Sequence, residues 1–118
     1  MAAFEALGAL GDVRAVEPLL QRLGDEDIYV RAAACEVLGA LGDVRAFEPL
    51  LQQLGDEYSD VRAAACEALG ALGDVRAFEP LLQRLGDEKW RVREAACRAL
   101  GALGDVRAVE PLLQRLGD

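Results

Sequence analysis

Three cysteines, Cys35, Cys66 and Cys97, recur 31 residues apart. A thiol can act as a nucleophile or a metal ligand, but the first role needs an adjacent base and the second needs convergent ligands. The chain has no histidine, so the commonest general base and metal ligand is missing. Among its 21 acidic residues, a pair of carboxylates could share acid–base work. Nearly all of them fall in Gly-Asp turns, at Glu17, Glu48, Glu79 and Glu110, or just before helices, where capping and the helix dipole account for them. Arg14, Arg45, Arg76 and Arg107 form one periodic set of guanidinium groups, and Arg31, Arg62 and Arg93 form another. Such sets could read phosphates. Yet no Gly-rich phosphate loop surrounds the Gly-Asp turns, and a net charge of −8 repels a nucleic-acid backbone. The sequence therefore offers no catalytic residue, no metal ligand set and no cofactor site. It predicts a protein that is not an enzyme and that binds no nucleic acid.

The elements that must position these residues follow from composition. The 118 residues include 21 Ala and 20 Leu, one Ile (Ile28), one Ser (Ser59) and no Thr or Asn. A sheet would lack the β-branched and aromatic residues that fill its pleated surface, whereas Ala, Leu, Glu and Arg are strong helix formers. The expected class is all-α, in one domain spanning residues 1–118, a length that can bury its own core. No apolar run approaches the ~20 residues of a membrane-spanning helix, and no secretory signal pattern opens the chain. These features predict a cytoplasmic location and no membrane partner.

Internal repetition sets the architecture. Gly-Asp occurs eight times, and alternate copies place Asp12, Asp43, Asp74 and Asp105 at a period of 31. Residues 12–42 and 43–73 differ at six positions, as do residues 43–73 and 74–104. Such similarity points to recent tandem duplication or to consensus design. Within a unit, Val30, Ala33, Ala34, Val37, Leu38 and Leu41 form the stripe of an amphipathic helix over 28–41, preceded by Asp25, Glu26 and Asp27 and ended by Gly42. Gly39, repeated as Gly8, Gly70 and Gly101, sits inside that helix at a cost of about 1 kcal/mol against Ala, which predicts close approach of a neighbouring backbone. A second helix carries Val16, Leu19, Leu20 and Leu23. Pro18 belongs in its first turn, so the regular helix is expected from about residue 16, after a tight turn at 13–15 capped by Asp12. Two such helices cannot enclose a core, and stacking of neighbours into an α-solenoid resolves this. The units are expected at 1–24, 25–55, 56–86 and 87–118, the first lacking the start of its first helix. Equivalent stacked helices lie about 8–10 Å apart and bridged cysteines need Cα atoms within about 7 Å. The three thiols are therefore expected to be reduced, as small hydrophobes between repeats.

The strings Val-Arg-Ala-Ala-Ala-Cys-Glu-Ala-Leu-Gly-Ala-Leu-Gly-Asp (61–74) and Arg-Ala-Phe-Glu-Pro-Leu-Leu-Gln (76–83) resemble the short HEAT-like repeats of the phycobilisome-lyase type. They are also similar to the designed alphaRep proteins built on that consensus. The resemblance covers essentially the whole chain. It implies a right-handed stack of antiparallel helix pairs, Asp–Arg bonding between repeats as the role of the arginine sets, and a concave binding surface on the first helices.

The units disagree mostly at 27/58/89, 28/59/90, 29/60/91, 32/63/94 and 36/67/98. On a helical wheel these positions lie opposite the apolar stripe. They assign a protein-binding face to Ile28, Tyr29, Ala32 and Glu36, then Ser59, Asp60, Ala63 and Glu67, then Trp90, Arg91, Glu94 and Arg98. Tyr29, Tyr58 and Trp90 are all the Tyr and Trp in the chain and cluster at one helix entrance, and these types are enriched among interface hot spots. A non-enzymatic scaffold for an unidentified protein partner is the leading expectation. An accessory subunit of a bilin-lyase-type enzyme, implied by the resemblance, and a purely self-assembling module are the alternatives. The last helix repeats Val16–Leu23 unchanged as Val109–Leu116, presenting Leu112, Leu113 and Leu116 as if another unit followed, while Phe4 and Leu7 lack a neighbour at the other end. Self-association, most simply a dimer, is expected there.

Overall fold

A computed structural model describes residues 1–117. Eight helices are present among them: α1 (Ala2–Leu10), α2 (Val16–Arg22), α3 (Ile28–Leu41), α4 (Phe47–Gln53), α5 (Ser59–Leu72), α6 (Phe78–Arg84), α7 (Trp90–Leu103) and α8 (Val109–Leu113). The described residues contain no strand.

The punctuation is chemical. Gly11, Gly42, Gly73 and Gly104 end the odd-numbered helices with φ between 66° and 74°, a left-handed conformation that glycine adopts without a Cβ clash. The following aspartate then opens a 3-10 turn. Asp12 accepts from the Arg14 N–H at 2.8 Å, and Asp43, Asp74 and Asp105 do the same for Arg45, Arg76 and Arg107. The turn Val13–Ala15 runs into α2 at Val16, which puts Pro18 in the first helical turn where its missing N–H costs nothing. The predicted boundary at residue 16 is the observed one.

Packing makes the stack. In one layer α1 packs on α3, α3 on α5 and α5 on α7, while α2, α4 and α6 lie against α3, α5 and α7 respectively. The result is an α-solenoid of 40 × 25 × 21 Å. Its fully buried side chains repeat with the sequence: Leu38, Leu69 and Leu100 in the first layer, Leu50 and Leu81 in the second. The glycines inside the helices explain how close the layer packs. A Cβ on Gly39 would stand 2.7 Å from the Ala68 Cα, and one on Gly70 would stand 2.8 Å from the Ala99 Cα. The expected reason thus holds at these two positions. Gly8 meets only the Val37 side chain at 3.7 Å, and Gly101 meets nothing within 4 Å.

Charge ties successive units together. Arg31 donates to the Asp56 carboxylate at 2.9 Å and to the Asp25 carbonyl at 2.7 Å. Arg62 repeats this with Asp87 at 2.9 Å and with the carbonyls of Asp56 and Glu57. Burial pushes the Asp87 carboxyl up, but the bonds from Arg62 and the Lys89 N–H outweigh it and hold the group below its usual range. The other arginine set behaves differently from the expectation of bonding between repeats. Arg14, Arg45, Arg76 and Arg107 each clasp the aspartate two residues earlier in their own turn, which is nearer than any partner in another unit. Their contacts to the preceding unit are looser: Arg45 stands 3.5 Å from Glu17, and Arg76 and Arg107 cover the rings of Phe47 and Phe78 at 4.3 and 4.2 Å.

Candidate protein-binding face

The face opposite the second-layer helices is built by α1, α3, α5 and α7. Its floor is small because the stripe beside the core is alanine. Ala32 and Ala63 are half-buried there, and they bring the grooves between helices close to the backbone. One groove is lined by Met1, Phe4, Glu5 and Gly8 of the first helical segment and by Tyr29, Ala32, Ala33, Glu36, Val37 and Ala40. The next joins Tyr29, Ala32, Glu36, Asp60, Ala63, Glu67 and Arg91. A third, beside α7, is lined by Trp90, Arg93, Glu94, Cys97 and Arg115.

Of the residues the sequence assigns to this face, seven therefore meet in one groove. Tyr29 and Trp90 are 64 % and 62 % exposed, so each holds a large ring in solvent. Trp90 lies beside the Arg91 guanidinium, 5.9 Å from ring centroid to carbon, and Arg98 pairs with Glu94 at 3.2 Å. Ile28 and Ser59 are half-buried, and Ile28 packs against the core. Tyr58 precedes α5 and lies 5.8 Å from the Arg31 guanidinium, next to the ion pair that joins two units.

Phe4 lines the groove with Tyr29 as well as packing against the core. Glu5 belongs there too and was missed, although the 31-residue register places it at the position of Glu36. The carboxyl of Glu36 is pushed up from its usual value, first by partial burial and then by the charges of Glu67 and Glu5. Carboxylates of three neighbouring helices thus act on one another across this face.

The remaining chemistry is muted. Cys35 and Cys66 are buried free thiols, and burial pushes both up to about 12, far from a reactive thiolate. Cys97 is half-buried and likewise forms no disulfide. Among the described residues no group of three or more His, Cys, Asp or Glu could hold a metal ion, and no helix is long and apolar enough to cross a membrane. At the last unit Leu112 packs partly on the core, while Leu113 and Leu116 are exposed. At the first, Leu7 is half-buried.

Comparison with known proteins places this frame. The model of the HEAT-repeat family matches residues 1–57 and 47–118. No curated protein sequence matches significantly. Among solved structures, the complex of CpcE and CpcF of phycocyanin lyase from Nostoc sp. PCC7120 contains a chain that is 32 % identical, with a TM-score of 0.79 over 98 % of this chain and 48 % of that one. The chain thus spans about half the length of that relative.

Proposed function

The chain belongs to the HEAT-repeat family, and we propose that it serves as a non-enzymatic scaffold that holds a protein partner on the face made by α1, α3, α5 and α7. One observation carries this reading: Tyr29, Ala32, Glu36, Asp60, Ala63, Glu67 and Arg91, taken mostly from positions where the units differ, line a single groove above a core that hardly differs. Exposed aromatic and arginine side chains are the groups that dominate interface energies. The test is capture of partners on the tagged protein from the lysate of a natural host, repeated with Tyr29→Ala and Trp90→Ala. A stoichiometric protein should be retained by the parent and lost by the variants, with truncation of Trp90 costing about 2 kcal/mol of binding. Thermal midpoints should hardly move, since both rings are exposed. A partner retained by both variants, or a midpoint that falls by many degrees, would refute the assignment.

A second reading, an accessory subunit of a phycocyanin-lyase-type enzyme, is favoured by the identity to the CpcE–CpcF complex. Phycocyanin among the captured proteins would support it. The reading also includes contact between copies through the exposed Leu113 and Leu116. Leu116 is 80 % exposed, whereas its equivalents Leu54 and Leu85 are 5 % and 3 % exposed where a following unit covers them.

A further inference from the structure

The charges on the face made by α1, α3, α5 and α7 are ordered along the stack. One register position carries Glu5 on α1, Glu36 on α3, Glu67 on α5 and then Arg98 on α7, and all four residues are exposed. The position of Tyr29 changes sign in the same direction, from Asp60 on α5 to Arg91 on α7. The aspartates that open the turns and join the units, Asp12, Asp43, Asp56, Asp74, Asp87 and Asp105, all pair with arginine. Glu5, Glu36, Glu67 and Asp60 form no ion pair among the described residues. Glu67 and Glu5 repel Glu36 across this face, and Arg91 is the cation that shares the groove with Glu36, Asp60 and Glu67. Between the charges the groove is apolar, with Phe4 and Tyr29 standing beside alanine.

We propose that this face docks one amphipathic helix of a partner protein, laid across α1, α3, α5 and α7, with Lys or Arg at i, i+7 and i+14 facing Glu5, Glu36 and Glu67 and an acidic residue at i+21 facing Arg98. The proposal rests on the protein-binding reading above and adds the partner's charge pattern. The spacing comes from geometry. Packed helices stand about 8–10 Å apart, so the four charges recur at roughly that interval. A helix rises 1.5 Å per residue, so seven residues advance ~10.5 Å and return to the same face, a difference that long Lys and Glu side chains absorb. A 22-residue helix of ~33 Å also fits the 40 Å length of the solenoid. Apolar residues at i+3 and i+4 of each turn would lie over Tyr29, Phe4 and the alanine floor. The Glu94–Arg98 pair is open to solvent, 47 % exposed at Glu94 and 67 % at Arg98, and such pairs are weak enough for Arg98 to exchange partners.

The experiment uses the 118-residue protein and three labelled synthetic helical peptides of equal composition, read by fluorescence anisotropy at about 0.15 M salt. One peptide carries the stated pattern, one has its lysines moved to i, i+3 and i+10, and one has its acidic residue moved to i+7 and a lysine to i+21. The patterned peptide should bind at least tenfold tighter than either control. The double variant Glu36→Gln, Glu67→Gln should weaken it about tenfold, and Arg98→Glu should transfer the preference to a peptide with Lys at i+21. Equal binding of the three peptides, no binding of any, or indifference to the charge variants would overturn the proposal. If Tyr29→Ala abolishes peptide binding while the charge variants do nothing, the charge order is wrong and the protein-binding face stands. If the patterned peptide binds undiminished to Tyr29→Ala and to the charge variants alike, both readings fall.

Discussion

Gly70 and Gly101 occupy the same position in successive helices, and substitution by alanine should shift stability in opposite directions. Alanine is favoured over glycine in a helix by about 1 kcal/mol, and both residues lie inside α7 or its equivalent α5. At Gly101 nothing stands within 4 Å of the added Cβ, so Gly101→Ala should realise most of that gain, about 0.5–1 kcal/mol. At Gly70 the added carbon would stand 2.8 Å from the Ala99 Cα and 3.0 Å from its Cβ. Those atoms belong to a helix backbone and its first side-chain carbon, which cannot rotate away, so α5 and α7 must separate along their whole line of contact. Overpacking of this kind costs about 1–3 kcal/mol, and a backbone clash belongs at the upper end. After the helix-propensity gain, Gly70→Ala should lose about 2 kcal/mol. Urea titration followed by circular dichroism, at protein concentrations low enough to keep the chain monomeric, measures both. A Gly70→Ala protein as stable as the parent, or a Gly101→Ala protein less stable, would refute the account of helix contact.

Other consequences can be checked on the same material. Arg62→Ala removes the ion pair with Asp87 and two bonds to backbone carbonyls, leaving the Asp87 carboxylate, 5 % exposed, without its main partner; a loss of about 3 kcal/mol is expected in a denaturant titration. Arg14→Ala, at a side chain 89 % exposed, should leave the thermal midpoint nearly unchanged. Folding raises the Glu36 carboxyl above its unfolded value, so ionised Glu36 destabilises the native state above that range and the penalty disappears as pH falls through it. Glu36→Gln should therefore raise the thermal midpoint at pH 7 and give no advantage at pH 3, and an equal shift at both would refute the linkage. Cys35 and Cys66 should resist a thiol reagent at pH 8 while Cys97, half-buried, reacts first, and all three should count as free after unfolding without reductant. The 118-residue chain should show a concentration-dependent mass by light scattering, a dimer most simply, which falls back towards 12.6 kDa when Leu113 and Leu116 are changed to Glu; a monomer at millimolar concentration would refute this.

Local chemistry made much of the fold legible. The start of α2 at Val16 follows from where proline can sit, the turn before it from an aspartate two residues ahead of an arginine N–H, and the ends of α3, α5 and α7 from a glycine in the left-handed region. Partner choice over distance was less accessible. The two arginine sets look alike in the sequence, both flanked by aspartates, and only the folded register shows that Arg31 spans 25 residues to Asp56 whereas Arg45 turns back to Asp43. Periodicity likewise predicts one role for every interior glycine, although the close contact exists only where two full helices lie side by side.

Differences between units divide in the same way. Those at 16/47 and 22/53/84 look equivalent in the sequence to those at 29/60/91, yet they work behind the stack. Phe47 and Phe78 in place of Val16 give Arg76 and Arg107 a ring to cover, and Gln53 and Arg84 reach back 30 residues to the carbonyls of Leu23 and Leu54. Each of these changes has a partner inside the molecule. The changes at 29/60/91 and 36/67/98 largely lack one: Tyr29 holds its ring in solvent, and Asp60 and Glu67 form no ion pair among the described residues. A side chain that varies while answering to an internal contact is constrained by the fold. One that varies towards exposed rings and charges without an internal partner does nothing for the fold, and that is the physical ground for proposing that the face made by α1, α3, α5 and α7 binds a partner.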